Sequence, residues 1–155
     1  FMRAAIAEAE KAVKTGDWPM GCVIVVDNKI ISRAYNVGYS SNNRLAHCEM
    51  LAIQKAKDFL EKHRGRATLY ATYEPCPMCF GAIIMSKIRR VVTGIDIDDS
   101  GALDLRKHLP KFYRKPKFKL NVTRGVLAKE CQENYLKGVP TQKHLRENKV
   151  KLLKF

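Results

Sequence analysis

Two short runs constrain this chain more than anything else in it: His47-Cys48-Glu49 and, further on, Pro75-Cys76-Pro77-Met78-Cys79. Together they offer three good zinc ligands, His47, Cys76 and Cys79, and one carboxylate, Glu49, that is expected to stay off the metal. Structural zinc sites are closed by four Cys or His ligands, whereas catalytic ones keep three and leave a position open for water. The fold must therefore bring two distant segments to one point. Cys48 is the nearest residue that could close the site as a fourth ligand. It directly follows His47, however, and would compete with the geometry that presents Glu49. A redox Cys-x-x-Cys pair is the other plain reading of Cys76 and Cys79. The upstream His-x-Glu, and prolines on both sides of Cys76, weigh against it.

Both runs read as helix starts. Met50 to Lys62 carries Leu51, Ile53, Ala56 and Leu60 close to helical spacing. Pro77 suits a first helical turn, where its missing N–H costs nothing, and Phe80 to Met85 then reads as a buried helix. Cys76 and Cys79, three apart, share one face and can grip one ion. His47 and Glu49, two apart, diverge in mid-helix, but at a helix N-terminus both reach a ligand beyond the end of the axis. Two such N-termini aimed at one point create a positive field that favours thiolates. The inventory suits a hydrolysis in which Glu49 carries a proton from water to a leaving amine.

The rest of the chain reads as an alternation of helices and strands. Met2 to Thr15 is an Ala-rich amphipathic helix with Ile6, Ala9 and Val13 inward, ended by Gly16. Gly21 to Val26 and Lys29 to Tyr35 form a hairpin about Asp27-Asn28. Asn36 to Ala46 is a polar loop feeding the first run. Thr68 to Tyr73 is a strand that delivers Cys76, Arg90 to Ile95 a further strand, and Lys119 to Thr123 a fifth. Ala128 to Lys137 is a helix, and a short one is expected from Thr141. This order gives an α/β fold, a three-layer α/β/α sandwich around a mixed five-stranded sheet. The site would sit at strand C-termini and helix N-termini, as in other open sheets. At 155 residues the chain is expected to be a single domain, residues 1–155. Because its first helix opens at once, a few leading residues are expected to be missing or replaced at Phe1-Met2.

No apolar stretch reaches membrane-spanning length, and no signal-peptide pattern opens the chain. Five cysteines, two of them in the ligand set, do not make a disulfide framework. The remaining thiols fit a reducing compartment, with the cytoplasm as the expectation. The net charge of +14 is uneven. Residues 106–119 hold seven Lys/Arg and no acid, with Phe112, Tyr113 and Phe118 interleaved. Lys137 to Phe155 holds six Lys/Arg against one acid. Basic stretches with aromatics suit a nucleic-acid backbone and its bases, which makes Lys111, Arg114 and Lys115 candidate contacts. A solvated surface is the alternative.

His-x-Glu followed by Pro-Cys-x-x-Cys is the known signature of zinc nucleobase deaminases, and the chain resembles the cytidine deaminase-like superfamily. Within it the chain is similar to the bacterial tRNA adenosine deaminase (TadA-like) group, from Met2 to about Lys137. The likeness rests on Pro19-Met20-Gly21-Cys22, Ala34-Tyr35-Asn36, Ala46-His47-Cys48-Glu49, Thr72-Tyr73-Glu74-Pro75-Cys76-Pro77-Met78-Cys79, Gly81-Ala82-Ile83-Ile84 and Gly125-Val126-Leu127-Ala128. The resemblance implies Zn2+ on His47, Cys76 and Cys79, with Glu49 as the catalytic proton shuttle. It implies that Asn36 holds the base, and that backbone groups of Cys48 and of the Pro75-Cys76 turn lie near the reacting carbon. A homodimer is also implied.

The chain departs from the pattern at three places. Cys48 stands where the family carries a small residue, Asn43-Arg44-Leu45 where tRNA enzymes carry Asp-Pro-Thr, and Asp98 to Leu103 where they carry a Lys-Gly-Ala-x-Gly-Ser stretch. The acidic turn Asp96, Asp98, Asp99 is either a solvated turn or a reader of a purine N–H edge. The leading expectation is deamination of adenosine to inosine in tRNA. The alternative is a deaminase of a free base or nucleoside, such as guanine or cytosine. A non-catalytic zinc-stabilised nucleic-acid-binding module is the third reading, and Glu49 argues against it.

Overall fold

A computed structural model describes residues 1–96 and 101–138 of the chain. Asp98 and Asp99 of the acidic turn, the short helix expected from Thr141, and the basic stretch beyond Gly138 lie outside the described residues.

The elements follow in the order α1 (Met2–Thr15), β1 (Gly21–Val26), β2 (Lys29–Tyr35), α2 (Cys48–Lys55), α3 (Lys57–Lys62), β3 (Thr68–Tyr73), α4 (Pro77–Met85), β4 (Arg90–Ile95), β5 (Asn121–Thr123) and α5 (Ala128–Gly138). Short 3-10 turns at Leu103–Lys107, Lys111–Arg114 and Pro116–Phe118 fill the space before β5. One sheet runs in the order β2-β1-β3-β4-β5. β1 is antiparallel to β2 and β3, while β3, β4 and β5 are parallel, so the sheet is mixed as expected. Asp27 and Asn28 turn the hairpin with φ of 48° and 59°, the left-handed pair that a tight two-residue turn requires.

β1 explains the layering. Every residue of Gly21–Val26 is buried, because both faces of this strand are covered. Cys22, Ile24 and Val26 face α2 and α4 in one core, and Val23 and Val25 face α1 and α5 in the other. Strands buried on both sides read as continuous apolar runs rather than alternating ones. The three-layer α/β/α architecture follows. Among the described residues no helix is long and apolar enough to cross a membrane.

Three local expectations need correction. α1 fully buries Met2, Ala5, Glu8, Ala9 and Ala12, so Ala9 is inward as expected, while Ile6 and Val13 are only half-buried. The reason is a close approach: a Cβ on Gly21 would lie 2.3 Å from the Ala9 nitrogen and 2.4 Å from the Ala5 oxygen. Only the alanine face of the helix fits that near the strand. Ile6 flanks the contact, half-buried in the second core. The helix expected over Met50–Lys62 starts at Cys48 and breaks at Ala56 into α2 and α3, with Ala56 and Leu60 both in the first core. β5 begins at Asn121 rather than Lys119 and pairs only with Arg90–Val92. A short edge strand offers little template for unwanted pairing.

Candidate active site

The two runs meet because each forms the start of a helix on the same face of the sheet. His47 caps α2 with φ −72° and ψ 149°, and Cys76 caps α4 with φ −69° and ψ 171°. Neither side chain is used to cap its own helix. Cys79 lies in the first turn of α4, beyond Pro77 in the opening position. The Nδ1 atom of His47 is 3.6 Å from the sulfur of Cys76 and 3.6 Å from that of Cys79. A tetrahedral zinc with bonds of about 2.3 Å to sulfur and about 2.05 Å to nitrogen would hold such atoms about 3.6 Å apart. The three ligand atoms lie within 4.8 Å of one another, and among the described residues this is the group placed to hold a metal ion. The donor set and its spacing therefore fit zinc.

Cys48 does not close the site. It is buried in the first core with Cys22 and stands outside the ligand group. Its contact with the Cys22 sulfur, and then burial, hold its thiol well above the ordinary value. Glu49 also stands outside the ligand group but beside it, with Oε2 taking the Cys48 thiol at 3.2 Å and the Cys79 thiol at 3.4 Å. Burial pushes its carboxyl above the usual range. The neighbouring Cys79 thiol, with further help from His47, lowers the Cys76 thiol to about 4. The proximity of Cys76, and then burial, raise Cys79. A lowered thiol suits a zinc ligand, which binds as the thiolate. The hydrogen bond to Cys76 raises His47.

A cleft of about 350 Å3 opens at His47, lined also by Trp18, Asn36, Gly38, Tyr39, Asn42 and Arg44. Asn36 is buried at its base, and its Oδ1 accepts the Gly38 N–H at 2.9 Å. A backbone donor settles which amide atom is the oxygen, so Nδ2 is the group left to donate to a ligand. Asp17, unnoticed in the sequence, fixes the cleft wall. Its buried carboxylate accepts the N–H groups of Tyr39 and Ser40 at 2.8 and 3.0 Å and the Thr15 hydroxyl at 2.7 Å. Trp18 stacks on Tyr135 of α5, ring centres 6.4 Å apart.

A second cluster supports the metal-binding turn. Glu74, at the end of β3, is buried; Oε1 accepts the Leu103 N–H at 3.0 Å and Oε2 pairs with Arg124 at 2.7 Å. The Pro75 carbonyl accepts the Ala102 N–H at 3.0 Å. Arg124 also draws in Asp96 at 3.3 Å and Asp104 at 3.5 Å. Asp96 takes the Thr93 hydroxyl as well. It is therefore committed to this network rather than presented to a purine edge. Nothing local in the sequence joins Glu74 to Arg124.

Lys111, Arg114 and Lys115 are exposed and do not line the cleft. The aromatics among them divide. Tyr113 and Phe118 pack against the first core, while Phe112 is 51 % exposed with the ammonium groups of Lys115 and Lys117 about 5 Å over its ring.

An α/β/α sandwich with one His, two Cys and an unligated Glu at paired helix N-termini defines a zinc-dependent nucleobase or nucleoside deaminase. Residues 1–95 match the cytidine and deoxycytidylate deaminase zinc-binding region, and the chain belongs to that family. It is 40 % identical to the tRNA-specific adenosine deaminase of Bacillus subtilis, over 84 % of this chain and 81 % of that one. It is 37 % identical to the tRNA-specific adenosine deaminase of Haemophilus influenzae, over 97 % of this chain and 86 % of that one. Among solved structures it superposes on one from studies of A-to-I editing by tRNA:A34 deaminases at the wobble position. The TM-score is 0.72 and the identity 33 %, over 86 % of this chain and 97 % of the other. A guanine deaminase from Bacillus subtilis superposes with a TM-score of 0.56 at 36 % identity, over 62 % of each chain.

Proposed function

We propose that this chain deaminates adenosine to inosine in tRNA, releasing ammonia. The observation that carries the reading is Glu49, a buried carboxylate beside the three-ligand group but outside it. A purely structural site has no use for it. Similarity to tRNA-specific adenosine deaminases supports the substrate.

Zinc bound by His47, Cys76 and Cys79 supplies Lewis acidity, which lets water act as a nucleophile near neutral pH. The protein's own residues do the rest. Asn36 donates its amide hydrogens to the base and fixes it in the cleft. Glu49 accepts a proton from the attacking water and passes it to the exocyclic amine. The carbon gains an oxygen and loses ammonia. Burial raises the Glu49 carboxyl, which suits a group that must both take and give a proton. The target base leaves its stack to enter the cleft, and backbone groups near Cys48 and Pro75 flank the reacting carbon. Lys111, Arg114 and Lys115 are assigned to the RNA backbone.

The protein is read as a single domain over residues 1–155 that works as a homodimer. An apolar groove of about 290 Å3, lined in part by Phe80, Gly81, Ile84, Leu105 and Leu109, lies beside Met85, which is 63 % exposed. An apolar face of this kind is a natural seat for a second copy. The cytoplasm, where free thiols such as these stay reduced, is the assigned compartment.

The test is ammonia release at low salt from an anticodon stem-loop RNA, adenosine, guanine, cytosine and cytidine. Turnover of the stem-loop, with inosine formed, supports the reading. Turnover of a free base or nucleoside with the RNA inert refutes it.

A further inference from the structure

We propose that Arg44 is the phosphate contact of this site, binding the phosphodiester that adjoins the target nucleotide and so favouring a base within a chain over a free one. The inference rests on the RNA reading above and names the residue that makes it selective.

The first observation is position. Arg44 lines the same cleft as His47 and Asn36, so a base seated there has its sugar and phosphate within reach of the cleft's rim. The second is charge. Among the described residues that line the cleft there is no carboxylate, and Arg44 is the permanent cation among them. The third is availability. Arg106 and Arg124 are occupied by Asp104, Glu74 and Asp96. Arg44 is exposed and makes no ion pair among the described residues. A guanidinium offers a planar fork of donors that matches a phosphate two at a time.

The fourth observation is that the platform is already ordered. Asp17 holds the N–H groups of Tyr39 and Ser40. The Asn43 N–H donates to the Gly38 carbonyl at 3.0 Å, and the Ala46 N–H to the Asn43 carbonyl at 3.0 Å. The Leu45 N–H donates to Asn43 Oδ1, also at 3.0 Å. Arg44 therefore stands on a backbone fixed on both sides, and binding does not have to order the loop. Tyr39, 50 % exposed, lines the same cleft. A cation beside an exposed aromatic is the pairing that single-stranded nucleic acid calls for.

The experiment compares wild type, Arg44→Gln and Arg44→Lys on the anticodon stem-loop and on adenosine across a salt series. Arg44→Gln is expected to raise KM for the stem-loop about tenfold at low salt, the order of one charge-assisted contact. The loss on adenosine, which has no phosphate, should be far smaller. The slope of log KM against log salt should fall by about 0.7, the share of one single-strand phosphate contact. Arg44→Lys should restore most of that slope. Since Arg44 is exposed, an unchanged melting temperature confirms that the variants fold. If wild type processes the stem-loop and Arg44→Gln keeps its KM and slope, the Arg44 assignment is overturned and the RNA reading stands. If wild type processes adenosine and leaves the stem-loop untouched, the RNA reading falls and the assignment with it.

Discussion

Replacing Arg124 with methionine is expected to remove about 2–3 kcal/mol of stability and to loosen the metal site. The magnitude follows from Glu74. Glu74 is 7 % exposed, and its carboxylate is satisfied by two donors, the Leu103 N–H at 3.0 Å and Arg124 at 2.7 Å. Removing one partner of a buried ion pair costs roughly 3–5 kcal/mol, because the other charge is left uncompensated. Two features lower that figure here. The Leu103 N–H remains, and the Arg124 side chain is 32 % exposed, so water screens part of the interaction. About 2–3 kcal/mol corresponds to a fall in Tm of about 5–10 °C for a chain of this size. Urea unfolding of the zinc-loaded protein measures it. A double-mutant cycle with Glu74→Gln isolates the pair: Glu74→Gln should cost at least about 1 kcal/mol less once Arg124 is gone. Because Glu74 leads directly into Pro75 and Cys76, Arg124→Met should also speed zinc transfer to a chelator. A variant within about 0.5 kcal/mol of wild type, the range of ordinary surface changes, would refute this account of the network.

Other consequences are more direct. Cys76→Ser should weaken zinc binding by more than the roughly 10–100-fold typical of losing an outer partner of a ligand, and should lower Tm, because metal binding and folding are coupled. Unchanged zinc content by atomic absorption would refute the ligand assignment. Charge reversal of Lys111, Arg114 and Lys115 together should flatten the salt dependence of RNA binding by about 2 in slope, at about 0.7 per contact. It should weaken RNA binding far more than it slows adenosine turnover. Equal losses on both would make the basic segment structural.

The strands and the metal ligands were legible in the sequence because each depends on local pattern. β1 to β4 begin and end where expected, since they are short apolar runs set between turn residues such as Asp27-Asn28. His47, Cys76 and Cys79 converge because a helix start gives the same local geometry wherever it occurs. What stayed hidden depends on distant partners. The inward face of α1 is set by the closeness of Ala5 and Ala9 to Gly21, which no helical periodicity reports. The Glu74–Arg124 pair spans 50 residues of sequence. Asp17 looked like an ordinary residue after a helix, yet it holds the loop that carries Arg44. The role of Asp96 in the acidic turn is likewise set by a distant partner, Arg124.

The central claim is that a buried carboxylate off the metal carries the proton in a hydrolysis at a three-ligand zinc site. Its most direct test is Glu49→Gln beside wild type, with zinc content and inosine formation from the anticodon stem-loop measured on the same samples. One zinc per chain in both, with turnover reduced by about 10²–10⁴-fold in the variant, is the predicted result. Comparable turnover in the variant, or loss of its zinc, would contradict the claim.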